Sequence, residues 1–223
     1  MDKPSILVIG VGTVGRNVAR RLLPEPPTIE GRVSVYPYDK YVETFQEKED
    51  KHYDLAFICV DTPYSEDNPC DITEVRNALM ENDAELFVIK STILPGTTEM
   101  LRRETGKHIV FSPEYYGNTQ HCNNVGYNFT ILGGFKTDCI KAIQILQRVY
   151  DASHQFRITD AKTAELVKYM ENAFLATKVS FCNQFYRIAE SAGVNYEELR
   201  ELFILDPRVN PSHTFVVNCS SSG

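Results

Sequence analysis

A glycine-rich turn, Gly10-Val11-Gly12-Thr13-Val14-Gly15, follows directly on the apolar run Ile6–Ile9 and leads directly into a helical stretch. That order suits phosphate binding. The first glycine permits a tight turn, the second lets the main chain approach a pyrophosphate, and the third lets helix and strand pack closely. Thr13 and Val14 open the helix whose amino terminus faces the negative charge. Asp39 ends the next apolar run, where a carboxylate accepts hydrogen bonds from an adenosine ribose, and this favours NAD over NADP. Two alternatives stay open: Lys40 could neighbour a 2′-phosphate and so admit NADP, and the glycines could form a turn that holds no ligand.

Further reactive side chains stand where apolar runs end. Thr62 follows Asp54–Val60, Thr92 follows Glu85–Lys90, and Glu114 follows His108–Ser112. If those runs are parallel strands, all three residues lie on the carboxyl edge, where open α/β sheets bind their ligands. A carboxylate there could order a water. The plainer alternatives are a turn before Pro63, a loop opening and a surface glutamate. Lys168 and Asn172 are spaced i, i+4 and share one helix face. Preorganised donors stabilise charge that develops during a reaction, although the spacing alone equally allows a solvated lysine beside an amide.

The elements that must position these residues follow from hydrophobic periodicity. Strands are expected at Ile6–Ile9, Val33–Tyr38, Asp54–Val60, Glu85–Lys90, His108–Ser112 and Phe129–Gly133, with a last short one at Phe156–Thr159. Helices are expected near Thr13–Leu23, Ile72–Glu81, Thr97–Thr105 and Thr137–Tyr150. Leu55-Ala56-Phe57-Ile58-Cys59-Val60 is apolar on both faces, as a strand covered by helices on both sides must be. The fold class is therefore α/β, a doubly wound parallel Rossmann sheet, occupying residues 1–159.

From Asp160 to Ala192 the chain has neither Gly nor Pro, and Gly193 supplies a stop signal. A helix of that length spans about 45 Å. Its apolar residues, among them Leu166, Met170, Phe174, Phe181, Phe185 and Ile188, wrap most of the circumference and call for cover on more than one side. With a second helix near Asn195–Leu202, it makes residues 160–205 a central, helical dimerisation segment. Residues 206–223, with Pro207, Pro211 and a Ser-rich end, read as an extended, loosely ordered tail.

Composition excludes several classes of partner. A net charge of -7 argues against nucleic acid, whose binders concentrate Lys and Arg on one face. Arg16, Arg20 and Arg21 read instead as a solvated helix face. No apolar run approaches the roughly 20 residues of a membrane span, and Ile6–Ile9 runs straight into glycines rather than into a signal-peptide layout. A cytoplasmic protein without a membrane association is the expectation. The six cysteines, Cys59, Cys70, Cys122, Cys139, Cys182 and Cys219, show no metal-ligand spacing, so no metal is expected and most should be reduced thiols.

Taken in order after the glycine turn, five segments resemble the UDP-glucose/GDP-mannose dehydrogenase family from about residue 5 to about residue 210. They are Val60-Asp61-Thr62-Pro63, Lys90-Ser91-Thr92-Ile93-Leu94-Pro95-Gly96-Thr97, Ser112-Pro113-Glu114-Tyr115-Tyr116, Glu165-Leu166-Val167-Lys168-Tyr169-Met170-Glu171-Asn172 and Asp206-Pro207-Arg208. The resemblance implies an NAD-dependent oxidoreductase that converts the C6 alcohol of a UDP- or GDP-sugar to the acid through a thiohemiacetal and a thioester. It places Thr62 beside the cofactor, Thr92 near the nicotinamide and Glu114 in the active site. Lys168 and Asn172 would steady the alkoxide forming at C6, and the long helix would form a homodimer.

The chain also departs from the family pattern. A second acid usually falls four residues after the active-site glutamate, whereas this chain has Asn118, an amide that cannot act as a base. Cys219 lacks the preceding glycines and the following Lys-Asp of the family's nucleophile, so it is not assigned that role. The carboxyl-terminal nucleotide-sugar domain is not represented, and the expectation is a truncated chain that handles a nucleotide sugar only when a second domain or chain completes it. The alternatives are a non-catalytic NAD-binding and dimerisation module or remnant, and a small 3-hydroxyacid dehydrogenase, whose second domain would be larger than the stretch of chain after Tyr150.

Overall fold

The computed structural model describes residues 3–23, 32–115 and 127–216. Strands β1 (Ser5–Ile9), β2 (Ser34–Tyr38), β3 (Leu55–Ile58), β4 (Phe87–Ile89), β5 (Ile109–Phe111), β6 (Phe129–Gly133) and β7 (Gln155–Thr159) alternate with helices α1 (Thr13–Leu22), α2 (Thr73–Met80), α3 (Thr97–Thr105) and α4 (Lys136–Leu146). Helices α5 (Ala161–Ala192) and α6 (Tyr196–Phe203) come after them. The chain divides into two compact units, residues 1–116 with 126–168 and residues 117–125 with 169–223.

The first unit is built on one sheet in the order β2-β1-β3-β4-β5-β6-β7. Side chains alternate between the faces of a strand, and β3, β4 and β5 are buried at every position. Both faces therefore need helices. Ile6, Val8, Phe57 and Val88 pack with Val18 and Leu22 of α1 and with Ala142 and Leu146 of α4. Leu7, Ile9, Ile58 and Ile89 face the other way, onto Val75 and Leu79 of α2, Leu101 of α3 and Ala164 of α5. Each Val, Leu, Ile or Phe among them contributes about 1.5–3 kcal/mol when fully buried, so the layered packing holds the sheet.

β1 pairs with β2 on one side and β3 on the other. The strand order reverses there, and such a reversal opens a crevice at the carboxyl ends of the strands. The expectation of an entirely parallel sheet needs one correction, because β6 runs antiparallel to β5 through the pairing of Phe111 with Gly133. A strand laid antiparallel to its neighbour needs no crossover helix. Among the described residues no helix stands between β5 and β6, whereas α4 connects β6 to its parallel neighbour β7.

In the second unit α5 ends at Gly193, whose φ of 69° is the left-handed conformation glycine adopts most readily. Asn195 then caps α6 by accepting from the amides of Glu197 and Glu198 at 2.8 and 3.2 Å. The segment after α6 is better anchored than its composition suggests. Tyr196 donates its hydroxyl to the Thr214 carbonyl (2.9 Å), Arg200 donates to the Thr214 hydroxyl (2.8 Å), and Lys178 donates to the carbonyls of Asn210 and Ser212. Burial pushes the Lys178 ammonium below its ordinary pKa.

Candidate functional site

The glycine turn after β1 is shaped by two close approaches and one open one. Gly10 has φ 86°, and a Cβ there would meet the Cys59 carbonyl oxygen at 2.7 Å. At Gly15 a Cβ would lie 1.8 Å from the Gly10 carbonyl oxygen, so only glycine lets α1 begin this close to β1. Gly12 differs: a Cβ there would meet no protein atom within 4 Å. Protein packing does not require glycine at that position, and the space a side chain would take adjoins the crevice. Gly12 also provides no side-chain cap for α1, so the helix presents its amino terminus without one.

Asp39 binds this turn directly. Its Oδ2 accepts from the Val11 amide at 2.7 Å, and its Oδ1 accepts from the Tyr41 amide at 2.9 Å. A cavity of about 300 Å³ opens beside them, lined in part by Gly10, Gly12, Asp39, Val42, Val60 and Ala78. Arg16 also lines it, with Nε donating to the Val11 carbonyl at 2.9 Å. Its neighbour Lys40 meets Glu74 of α2 in an ion pair of 2.5 Å, and that hydrogen bond raises the lysine pKa above its ordinary value. A glycine turn, an uncapped helix start, a ribose-competent carboxylate and an apolar-walled cavity together fit a dinucleotide.

A second group of residues gathers at the carboxyl ends of β3, β4 and β5. Thr62 Oγ1 donates to the Thr92 carbonyl at 2.6 Å, and Ser91 Oγ donates to the Val60 carbonyl at 2.6 Å, stitching two loops together. Glu114 is 5% exposed. Its Oε1 accepts from the Tyr115 amide at 2.7 Å, and its Oε2 stands 3.2 Å from the Lys90 ammonium. Lys90 also reaches the Ser112 hydroxyl at 3.2 Å. Lys168 donates to the Glu114 main-chain carbonyl and lies over the Tyr115 ring, 5.5 Å from its centroid.

Glu165, one turn earlier on α5, explains how Lys168 is brought there. Its carboxylate is wholly buried and accepts from the Gly96 amide (2.5 Å), the Thr98 amide (2.8 Å) and the Thr98 hydroxyl (2.6 Å). The start of α3 is thereby capped from another helix. Gly96, with φ 98°, completes the turn that Pro95 begins, and the Thr97 amide closes it on the Leu94 carbonyl at 3.1 Å. Fixing α5 to this turn sets the rotation of the helix and so directs Lys168 toward Glu114.

The sequence-derived residues thus fall into two groups of the first unit. Gly10, Gly12, Thr13, Val14, Gly15 and Asp39 form the turn and its tie; Thr62, Thr92, Glu114 and Lys168 lie at the strand ends. Asn172 is exposed, one turn beyond Lys168 on α5, and belongs to the second unit. Asn118, Cys122 and Cys219 lie outside the described residues. Cys59, Cys70, Cys139 and Cys182 are buried free thiols. Three residues of the site do not stand out in the sequence. Arg16 reads as part of a solvated face, Lys90 is visible only as the start of a motif, and Glu165 gives no signal of its buried acceptor role.

Residues 39–154 match the NAD binding domain of the UDP-glucose/GDP-mannose dehydrogenase family, and residues 162–220 match its central domain. A UDP-N-acetyl-D-mannosamine dehydrogenase of Pyrococcus horikoshii is 33% identical over 82% of this chain and 47% of its own length. A UDP-glucose 6-dehydrogenase of Rickettsia prowazekii is 29% identical over 71% of this chain and 39% of its own length. This chain therefore spans less than half of these curated relatives. A solved UDP-glucose dehydrogenase from Pyrobaculum islandicum superposes with a TM-score of 0.74 at 24% identity, covering 98% of this chain and 61% of that one, which shows the shared fold.

Proposed function

Because this chain belongs to the UDP-glucose/GDP-mannose dehydrogenase family, we propose that it supplies the NAD-binding and hydride-transfer part of a nucleotide-sugar 6-dehydrogenase. One observation carries the proposal: Asp39 is tied to the Val11 amide at 2.7 Å while the open side of Gly12 adjoins a cavity of about 300 Å³. The glycine turn and Asp39 would hold the pyrophosphate and the adenosine ribose. NAD+ supplies the hydride acceptor when bound. Thr62 and Thr92 shape the loops on the nicotinamide side, and Glu114 orients a water or a sugar hydroxyl.

Lys168, kept near by the Glu114 carbonyl, would donate to the oxygen that gains negative charge as C6 is oxidised, a preorganised electrostatic role. Asn172 supports the same role by its i, i+4 spacing from Lys168. The substrate is a UDP- or GDP-sugar held with the help of a further nucleotide-binding domain or chain. The proposed division is residues 1–159 for NAD, 160–205 for the central helical segment and 206–223 for the tail. We place the protein in the cytoplasm as a homodimer joined through α5; among the described residues no helix is long and apolar enough to cross a membrane.

Isothermal titration of NAD+ and NADH into the chain and a Gly12→Val variant tests the proposal. Saturable binding by the parent, lost in a variant that keeps its circular dichroism, is the expected result. No binding by the parent would overturn the enzymatic reading and leave the assembly module in its place.

A further inference from the structure

The rim of the dinucleotide cavity holds a cation whose charge is already engaged. Lys40 follows Asp39 immediately and lines the same cavity, so its ammonium is the natural counter-charge for a phosphate on the ribose 2′-oxygen. Its Nζ instead meets Glu74 Oε2 at 2.5 Å, and the ammonium also stands 5.0 Å from the Tyr41 ring centroid. Glu74 lies in the first turn of α2, where a carboxylate is favoured by the helix dipole and held in place by the helix backbone. Both side chains are about one-third exposed, so neither is locked away from an entering ligand.

We infer that Glu74 is a cofactor-specificity residue, which excludes NADP by clamping Lys40 and adding a second carboxylate beside Asp39. A 2′-phosphate entering this rim must break the Lys40–Glu74 pair before it gains that lysine as a partner, and it meets repulsion from both acids meanwhile. NAD+, with a neutral 2′-hydroxyl, needs only the Asp39 acceptor and leaves the pair intact. Discrimination of this kind works by an unfavourable contact for the wrong ligand as well as a favourable one for the right ligand. The inference rests on the NAD site proposed above.

Titration of NADH and NADPH, followed by the fluorescence of the reduced nicotinamide, tests it in the full chain and in Glu74→Ala, Lys40→Met and the double variant. Glu74 is on the helix surface and Ala is a good helix former; circular dichroism verifies the fold. Glu74→Ala should tighten NADPH by on the order of tenfold, the scale of one charge-assisted hydrogen bond, and change NADH by less than about threefold. Most of the gain should be lost in the double variant, which keeps only the relief of the Glu74 charge. Unchanged NADPH affinity in Glu74→Ala, with the parent binding NADH, overturns the clamp alone. A gain that is undiminished in the Lys40→Met background also overturns it. Failure of the parent to bind NADH removes both the clamp and the site on which it rests.

Discussion

The hydroxyl of Thr62 donates to the main-chain carbonyl of Thr92 across 2.6 Å, joining the loop after β3 to the loop after β4. The same carbonyl lies 3.6 Å from the Cys70 thiol. The proton of Thr62 is thus committed to holding the site together, and its oxygen is left to accept. Thr62→Val keeps the shape but removes the donor, so it should cost about 1 kcal/mol in urea unfolding and weaken NADH several-fold, while Thr62→Ser retains both. Parent-like unfolding and binding in Thr62→Val would mean that the loops are placed by packing alone.

Glycine at positions 12 and 15 serves different neighbours, and small substitutions should separate them. A Cβ at Gly15 would lie 1.8 Å from the Gly10 carbonyl oxygen, whereas one at Gly12 meets no protein atom within 4 Å. Gly15→Ala must therefore move α1 off β1, and we expect a loss of several kcal/mol, on the scale of severe overpacking. Gly12→Ala should melt within a few degrees of the parent yet bind NADH poorly. Thermal melts and calorimetric titration check the pair; equal melting of the two variants would contradict the assignment.

Lys90 and Glu114 form an ion pair with side chains only 13% and 6% exposed. Taking one partner from such a pair leaves an uncompensated charge, which costs about 3–5 kcal/mol, while replacing both costs far less. Lys90→Met should accordingly be the most harmful single change at this site, and adding Glu114→Gln should recover much of the loss. Urea unfolding of the two single variants and the double variant gives the coupling. Additive losses would show that the two groups act independently.

The glycine turn, Asp39 and the order of strands and helices are legible in the sequence because each rests on local rules. Turn φ values, short continuous apolar runs and helix stops depend on residues close in the chain. The reversal of direction at β6 is not local, since Phe111 and Gly133 pair across a long connection whose course apolar patterning does not encode. Side-chain partnerships escape for the same reason. Glu165 reaches Thr98 over 67 residues and Lys90 reaches Ser112 over 22, and neither spacing is periodic. Arg16 reads as solvated because its helix face does point outward, but the crevice lies on that side.

Asp160, just before α5, makes stability depend on pH. Thr163 donates to its carboxylate from the hydroxyl at 2.6 Å and from the amide at 2.8 Å, and these bonds hold the pKa below the usual 3.8. A folded-state pKa below the unfolded one gives stability that is present above pH 3.8 and is lost as pH falls through the folded value. Asp160→Ala should melt lower than the parent at pH 6, and the difference should shrink steadily as the pH drops below about 4. A difference that stays constant over that range would assign the effect to helix propensity instead of the ionised cap.

The large exposed apolar side chains of α5 in the second unit fall on a single stripe. Met170, Phe174, Phe181, Phe185 and Ile188 are 76%, 63%, 48%, 41% and 48% exposed, and at 100° per residue they lie within about 60° of the helix circumference. The full set of apolar positions wraps the helix more widely, but these five form a narrow seam of the kind that two helices bury together. Phe181 and Phe185 already meet in a tilted pair with ring centroids 4.7 Å apart, so the seam carries an aromatic patch. If the proposed homodimer uses it, Phe174→Lys combined with Phe185→Lys should yield a monomer in analytical ultracentrifugation. NADH affinity should persist, because the dinucleotide cavity is lined entirely by residues of the first unit. A parent that sediments as a monomer, or a double variant that remains a dimer, would show that another surface covers or replaces this stripe.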